Sequence, residues 1–100
     1  MHKLVVLYPK PTDADHFRSY YESTHAPLAL KFPGLRGFRW AADVQSIGSE
    51  SPYFAIAECD FDDERAMMDA LRSPEGKAAA ADVQNYATGG ATFLHYDFDR

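Results

Sequence analysis

The chain contains a single cysteine, Cys59, so it cannot close an internal disulfide, and a fold stapled by oxidation is excluded. No stretch approaches the ~20 consecutive apolar residues of a membrane-spanning helix. The apolar start of the chain, "KLVVLY", is too short for a signal-peptide core, and no cleavage pattern follows it. Basic runs are absent too. With 10 basic against 15 acidic residues the net charge is -5. Such a chain suits neither a nucleic-acid phosphate backbone nor, lacking a basic amphipathic helix, a membrane surface. There is no glycine-rich phosphate loop, because "TGGAT" lacks both the spacing and the lysine. The four histidines, His2, His16, His25 and His95, show no ligand spacing, so no metal is expected. These absences lead to the expectation of a cytoplasmic protein without nucleic-acid or membrane partners.

What is present is apolar material. Hydrophobic residues make up 46% and aromatic residues 14% of 100 residues, enough for one domain spanning 1–100. A monomer of this size has a modest core, so a symmetric partner is one place to bury the surplus. "KLVVLY" reads as a strand, stopped by Pro9 and Pro11. Asp13 offers an N-cap for a helix carrying Phe17, Tyr20, Tyr21, Thr24 and Leu28 at helical spacing. Pro27 lacks an amide hydrogen and crowds the carbonyl of Ser23, so this helix is expected to end or bend between Ser23 and Leu28. Strands are predicted over Leu35–Ala42, Pro52–Phe61 and Ala91–Phe98. Asp62 is read as the cap of a second helix, and Ser73-Pro74 as the opening of an alanine-rich third.

The order β-α-β-β-α-β predicts an α+β, ferredoxin-like domain, with helices on one face of a four-stranded antiparallel sheet. A sheet with one wet face should alternate apolar and polar residues. Here Leu4, Val6 and Tyr8 alternate with Val5 and Leu7, both apolar. The second face therefore calls for a cover, most simply the same face of another copy, as in a dimeric α+β barrel.

Three segments, "KLVVLYPKPTDADHFRSYY", "HAPLALKFPGLRGF" and "SPEGKAAAADVQNYATGG", resemble the EthD family, named for a protein of ethyl tert-butyl ether degradation. The resemblance runs nearly end to end. It implies a homodimer of the dimeric α+β barrel type with a lumen or cleft between sheet and helices. Relatives in that superfamily include cofactor-free monooxygenases, cyclases, a lactone isomerase and haem enzymes, so the fold leaves the chemistry open. Haem ligation by His95 finds no support in the sequence, and no cofactor is expected.

The chemistry is sought first at His25, whose imidazole exchanges protons near neutrality. Tyr21 lies one helical turn before it and Tyr20 to one side. A histidine with tyrosines over an apolar pocket suits enolisation, aldol closure or dehydration of a small carbonyl compound. The bland alternative is that His25 only closes the end of a helix. Ligand-lining candidates are Tyr8, Phe32, Trp40, Tyr53 and Tyr86, with Asn85 and Thr88 as polar contacts on the loop before the last strand. Cys59 lies between Glu58 and Asp60, whose charges disfavour a thiolate, and is read as structural. The expected function is a cofactor-independent small-molecule enzyme of catabolism or secondary metabolism acting on a hydrophobic or aromatic carbonyl metabolite. The alternative is a non-catalytic homodimer that binds such a metabolite.

Overall fold

A computed structural model describes residues 1–99. Strand β1 (His2–Pro9) is followed by α1 (Ala14–Tyr20), a π-helical turn (Tyr21–His25) and α2 (Ala26–Ala29). Then come β2 (Gly37–Ala42), β3 (Tyr53–Phe61), α3 (Glu64–Arg72), α4 (Pro74–Asp82), a 3-10 turn (Val83–Asn85) and β4 (Thr92–Asp97). The sheet is antiparallel throughout in the order β2-β3-β1-β4, the ferredoxin-like arrangement.

The expected discontinuity near Pro27 takes a particular form. The coil does not stop at Ser23. It widens into a π-turn that begins earlier than expected, at Tyr21, and Pro27 sits in the first turn of α2. Proline cannot donate to the carbonyl of Ser23 and its ring would crowd it. In π register the amide of Ala26 reaches back to the carbonyl of Tyr21, one residue further than in an α-helix.

A second correction concerns the α3 cap. Asp63, not Asp62, accepts the amide of Ala66 at 2.8 Å. The carboxylate of Asp62 is gripped by the Arg36 guanidinium at 2.9 and 3.0 Å. Ser73 and Pro74 open α4 as read, with the Ser73 hydroxyl accepting the amide of Gly76 at 3.0 Å.

The helices lie on one face of the sheet. Their Phe17, Tyr21, Met67, Ala70 and Ala79 form one buried cluster with Leu4, Val6 and Tyr8 of β1 and Ala55, Ala57, Cys59 and Phe61 of β3. A bulge in β3 adds to it: Tyr8 faces Ala55 and Pro9 faces Tyr53, leaving Phe54 as an extra residue. Phe54 is buried edge-to-face on Phe17, with ring centroids 5.2 Å apart. The other face carries Val5, Leu7, Ile56, Ala41 and Leu94, in register across the strands. At one end it is charged, contrary to a purely apolar reading: Lys3 meets Glu58 at 2.8 Å and Asp60 at 3.3 Å, and Arg39 meets Asp60 at 3.3 Å. Along β4 every side chain is exposed, including Phe93, Leu94 and Tyr96. Among the described residues no helix is long and apolar enough to cross a membrane.

Candidate functional site

His25 is only 5% exposed, at the end of the π-turn. Its Nδ1 lies 2.9 Å from Oδ2 of Asp82, at the C-terminal end of α4. The other oxygen of Asp82 accepts the Tyr20 hydroxyl at 2.5 Å and the Asn85 amide at 3.0 Å. Three donors thus converge on one carboxylate. Burial opposes the charge of Asp82, but the hydrogen bonds from Tyr20, Asn85 and His25 outweigh it and hold the carboxyl below its ordinary range. Burial pulls His25 below the usual imidazole value, with Asp82 acting against that shift. The pair is therefore a carboxylate and a neutral imidazole at pH 7. An ionised carboxylate only accepts, so Nδ1 carries the proton. Nε2 is left as a lone pair with no hydrogen-bond partner among the described residues.

His25 lines a cavity of about 50 Å³ between sheet and helices, room for a few water-sized groups. Around it stand Tyr8, Tyr21, Phe32, Phe38 and Phe93. The Tyr21 ring lies 5.0 Å from the imidazole and 4.4 Å from Trp40, and the Tyr86 ring lies 4.6 Å from the imidazole. The hydroxyls of Tyr8 and Tyr86 are 2.8 Å apart. If Tyr86 donates, the Tyr8 proton is free for a ligand in the cavity. Burial pushes the Tyr8 phenol up to about 12 and raises Tyr21 and Tyr86 as well. All three stay protonated near neutrality, as donors rather than bases. Burial likewise pushes the Cys59 thiol up to about 12, so this cavity-lining residue is no nucleophile at pH 7.

The residues singled out from the sequence separate into groups. His25, Tyr21, Tyr8 and Phe32 share the cavity wall. Tyr20 does not line it, but holds Asp82 from behind, as does Asn85. Trp40 and Tyr86 sit one layer back, against Tyr21 and against Tyr8 and His25. Tyr53 lines a separate polar crevice with Lys10 and Glu50, and Thr88 accepts the backbone amide of Thr12 at 2.9 Å, tying its loop to the end of β1. The residue that sequence reasoning missed is Asp82. One signal existed: it ends a run of four alanines at a helix C-terminus, where the helix dipole disfavours an anion. His2 and His95, distant in sequence, also meet, with Nε2 and Nδ1 2.8 Å apart.

The chain has relatives among known proteins. The EthD domain model matches residues 9–90. An uncharacterised 11.0 kDa protein of the thcB-thcC intergenic region of Rhodococcus erythropolis is 36% identical over 98 residues, which is 97% of this chain and 94% of that one. An EthD family protein of Bacillus halodurans superposes with a TM-score of 0.91 at 35% identity, over 99% of both chains. Two more distant structures share the fold alone. A dimeric ferredoxin-like protein of Thermobifida fusca has a TM-score of 0.74 at 15% identity, over 97% of this chain and 90% of that one. Hydroxynitrile lyase of Passiflora edulis has 0.77 at 14%, over 98% and 93%. The fold, the near end-to-end match and the family model agree: the chain belongs to the EthD family.

Proposed function

We propose that this protein is an enzyme acting on a small hydrophobic carbonyl compound, with His25 as general base and acid. The observation that carries this is the bond from His25 Nδ1 to the buried Asp82 carboxylate, on a histidine that lines the cavity. That bond fixes the tautomer and turns Nε2 into a base. When Nε2 takes a proton from a carbon next to a carbonyl, or from a hydroxyl, the imidazolium that forms sits against an anion already in place. A phenol that stays protonated, Tyr8 or Tyr21, donates to the substrate oxygen as negative charge develops there. The reading draws every proton transfer from the chain's own residues and calls on no cofactor. A fold neighbour named as a hydroxynitrile lyase supports the class, since such a reaction moves a proton at a carbinol oxygen.

The test is a panel of small aliphatic aldehydes, ketones and cyanohydrins incubated with the protein in D2O and followed by proton NMR. Proton exchange or cleavage of at least one compound is expected, slowed by about 10²–10⁴-fold in His25→Gln with the fold retained. The rival, a binding protein for a hydrophobic metabolite, makes the opposite forecast. A compound that protects the cavity resonances but is never turned over, and binds equally well to His25→Gln, would favour it.

A further inference from the structure

We propose that His2, His95 and Glu64 form a binding site for a transition-metal ion of the zinc type. Nothing in the His25 chemistry uses these residues. His2 begins β1, His95 lies on the edge strand β4, and Glu64 opens α3. One ligand atom from each lies within 4.8 Å of the others.

The sheet register explains the meeting. His2 lies opposite Asp97 and Leu4 opposite His95, so all four side chains belong to the face that carries the helices. Leu4 and Val6, which follow on that face, are core residues. An imidazole only 2% exposed is out of place in such a row unless both nitrogens are satisfied. They are. Nδ1 donates to Asp97 at 2.5 Å, and Nε2 faces His95 Nδ1 at 2.8 Å. With its proton on Nδ1, His2 points a lone pair from Nε2 at His95. This is the arrangement of a metal-bound histidine, oriented through its far nitrogen by a carboxylate. The two rings are tilted by 53° rather than stacked, so their facing nitrogens can aim at one point between them.

The geometry requires little change. A tetrahedral zinc ion with bonds of about 2.0–2.1 Å holds its donors about 3.3 Å apart. The two nitrogens need to part by roughly half an ångström. The Glu64 carboxylate needs to move inward, and its exposed side chain is free to do so. The ion would take the place of the single proton now shared by the imidazoles. Two nitrogens and one oxygen suit zinc, cobalt or nickel better than magnesium or calcium, which prefer oxygen. His95 and Glu64 are exposed, so a fourth position stays open to water and the ion could exchange. Its effect would be mechanical. Among the described residues β4 pairs with β1 alone, and the ion would tie it to β1 and to the first turn of α3.

The test uses the full chain without any added histidine tag. Titration with Co2+ should give a saturable visible absorption at one equivalent per chain, displaced by Zn2+. Zn2+ should raise the unfolding midpoint in a concentration-dependent way. His95→Ala and Glu64→Gln change exposed side chains, so they test the site even if His2→Gln fails to fold. Each should weaken metal affinity by at least ~10-fold, while His16→Ala leaves it unchanged. Absence of saturable Co2+ or Zn2+ binding, or an affinity that survives His95→Ala, overturns the proposal.

Discussion

Replacing Asp82 by Asn separates a catalytic-type dyad from a helix-closing histidine without needing a substrate. The change keeps the shape and removes the charge. Two oxygens now serve three donors, His25, Tyr20 and Asn85. An amide has one oxygen. If its nitrogen turns toward His25, two donors collide, and the ring must move its proton to Nε2. If its oxygen turns toward His25, Tyr20 and Asn85 must rearrange, and the bond to His25 is no longer charge-assisted. A charge-assisted bond contributes about 1.5–3 kcal/mol and a neutral one about 0.5–1.5, a difference of about 1–1.5 each, so weakening three of them costs about 3–4.5 kcal/mol. Relief from burying a charge offsets part of that. A loss of about 1–3 kcal/mol at pH 7 is expected in urea denaturation. Nitrogen NMR of the imidazole gives the sharper readout. In the wild type His25 should carry its proton on Nδ1 and titrate below the usual imidazole range, because burial dominates its shift. In Asp82→Asn the opposing influence of the carboxylate is gone, and the imidazole value should fall further.

The same shifts fix the pH dependence of stability. The folded chain keeps His25 neutral where the unfolded chain already binds a proton. The stabilisation is therefore complete above about pH 6.5 and declines as the pH falls toward the folded-state value. Asp82 adds a second loss at lower pH, as its depressed carboxyl protonates. His25→Gln should abolish the upper decline and leave the lower one. A wild-type His25 with its proton on Nε2, or an imidazole titration unchanged in Asp82→Asn, would refute the dyad.

Two further outcomes are expected. Light scattering should give a particle of twice the 11.2 kDa chain mass, with at least ~1,200 Å² buried in total, because Leu94 and Tyr96 lie exposed on the helix-free face of the sheet; a monomer across micromolar concentrations would contradict this. Gly76→Ala should destabilise the fold by about 2–4 kcal/mol in chemical denaturation, since a Cβ there would lie 2.1 Å from the backbone oxygen of Ala70 and force α3 and α4 apart; a wild-type denaturation midpoint would show that the corner at Ser73 can yield.

The fold was legible because its signals are local. "KLVVLY" is β-branched and bounded by prolines, Ser73-Pro74 is a cap followed by a first-turn proline, and the order of elements admits few topologies. The errors lie where a distant partner decides. Asp62 and Asp63 are equal candidates as caps in the sequence, and the choice is made by Arg36, which reaches Asp62 from just before β2. The bulge that turns Phe54 inward depends on how β3 meets the end of β1, which a period-two pattern cannot express. The charges of Lys3, Glu58, Asp60 and Arg39 read singly as surface residues, and only the register shows that they gather on one face.

The site shows the same division more sharply. In the sequence, proline at position 27 and histidine at position 25 offer competing explanations, a broken helix or a chemical tool. The structure makes them one device. Because Pro27 cannot take part in α-helical bonding, the preceding turn opens into π register, and that turn begins with Tyr21 and ends with His25. Both residues are buried and both line the cavity. The feature that signals a helix end is thus the feature that shapes the coil carrying the imidazole. What the local pattern could not contain is the partner. Asp82 lies 57 positions away, and its pairing with His25 requires the end of α4 to lie against the π-turn. Its one trace in the sequence is electrostatic: an anion at the negative end of an alanine helix is unfavourable alone. Three donors from two other segments and the following turn make it tenable. An acidic residue in the wrong place on a helix, in a chain with one histidine two residues before a proline, is a pairing worth testing.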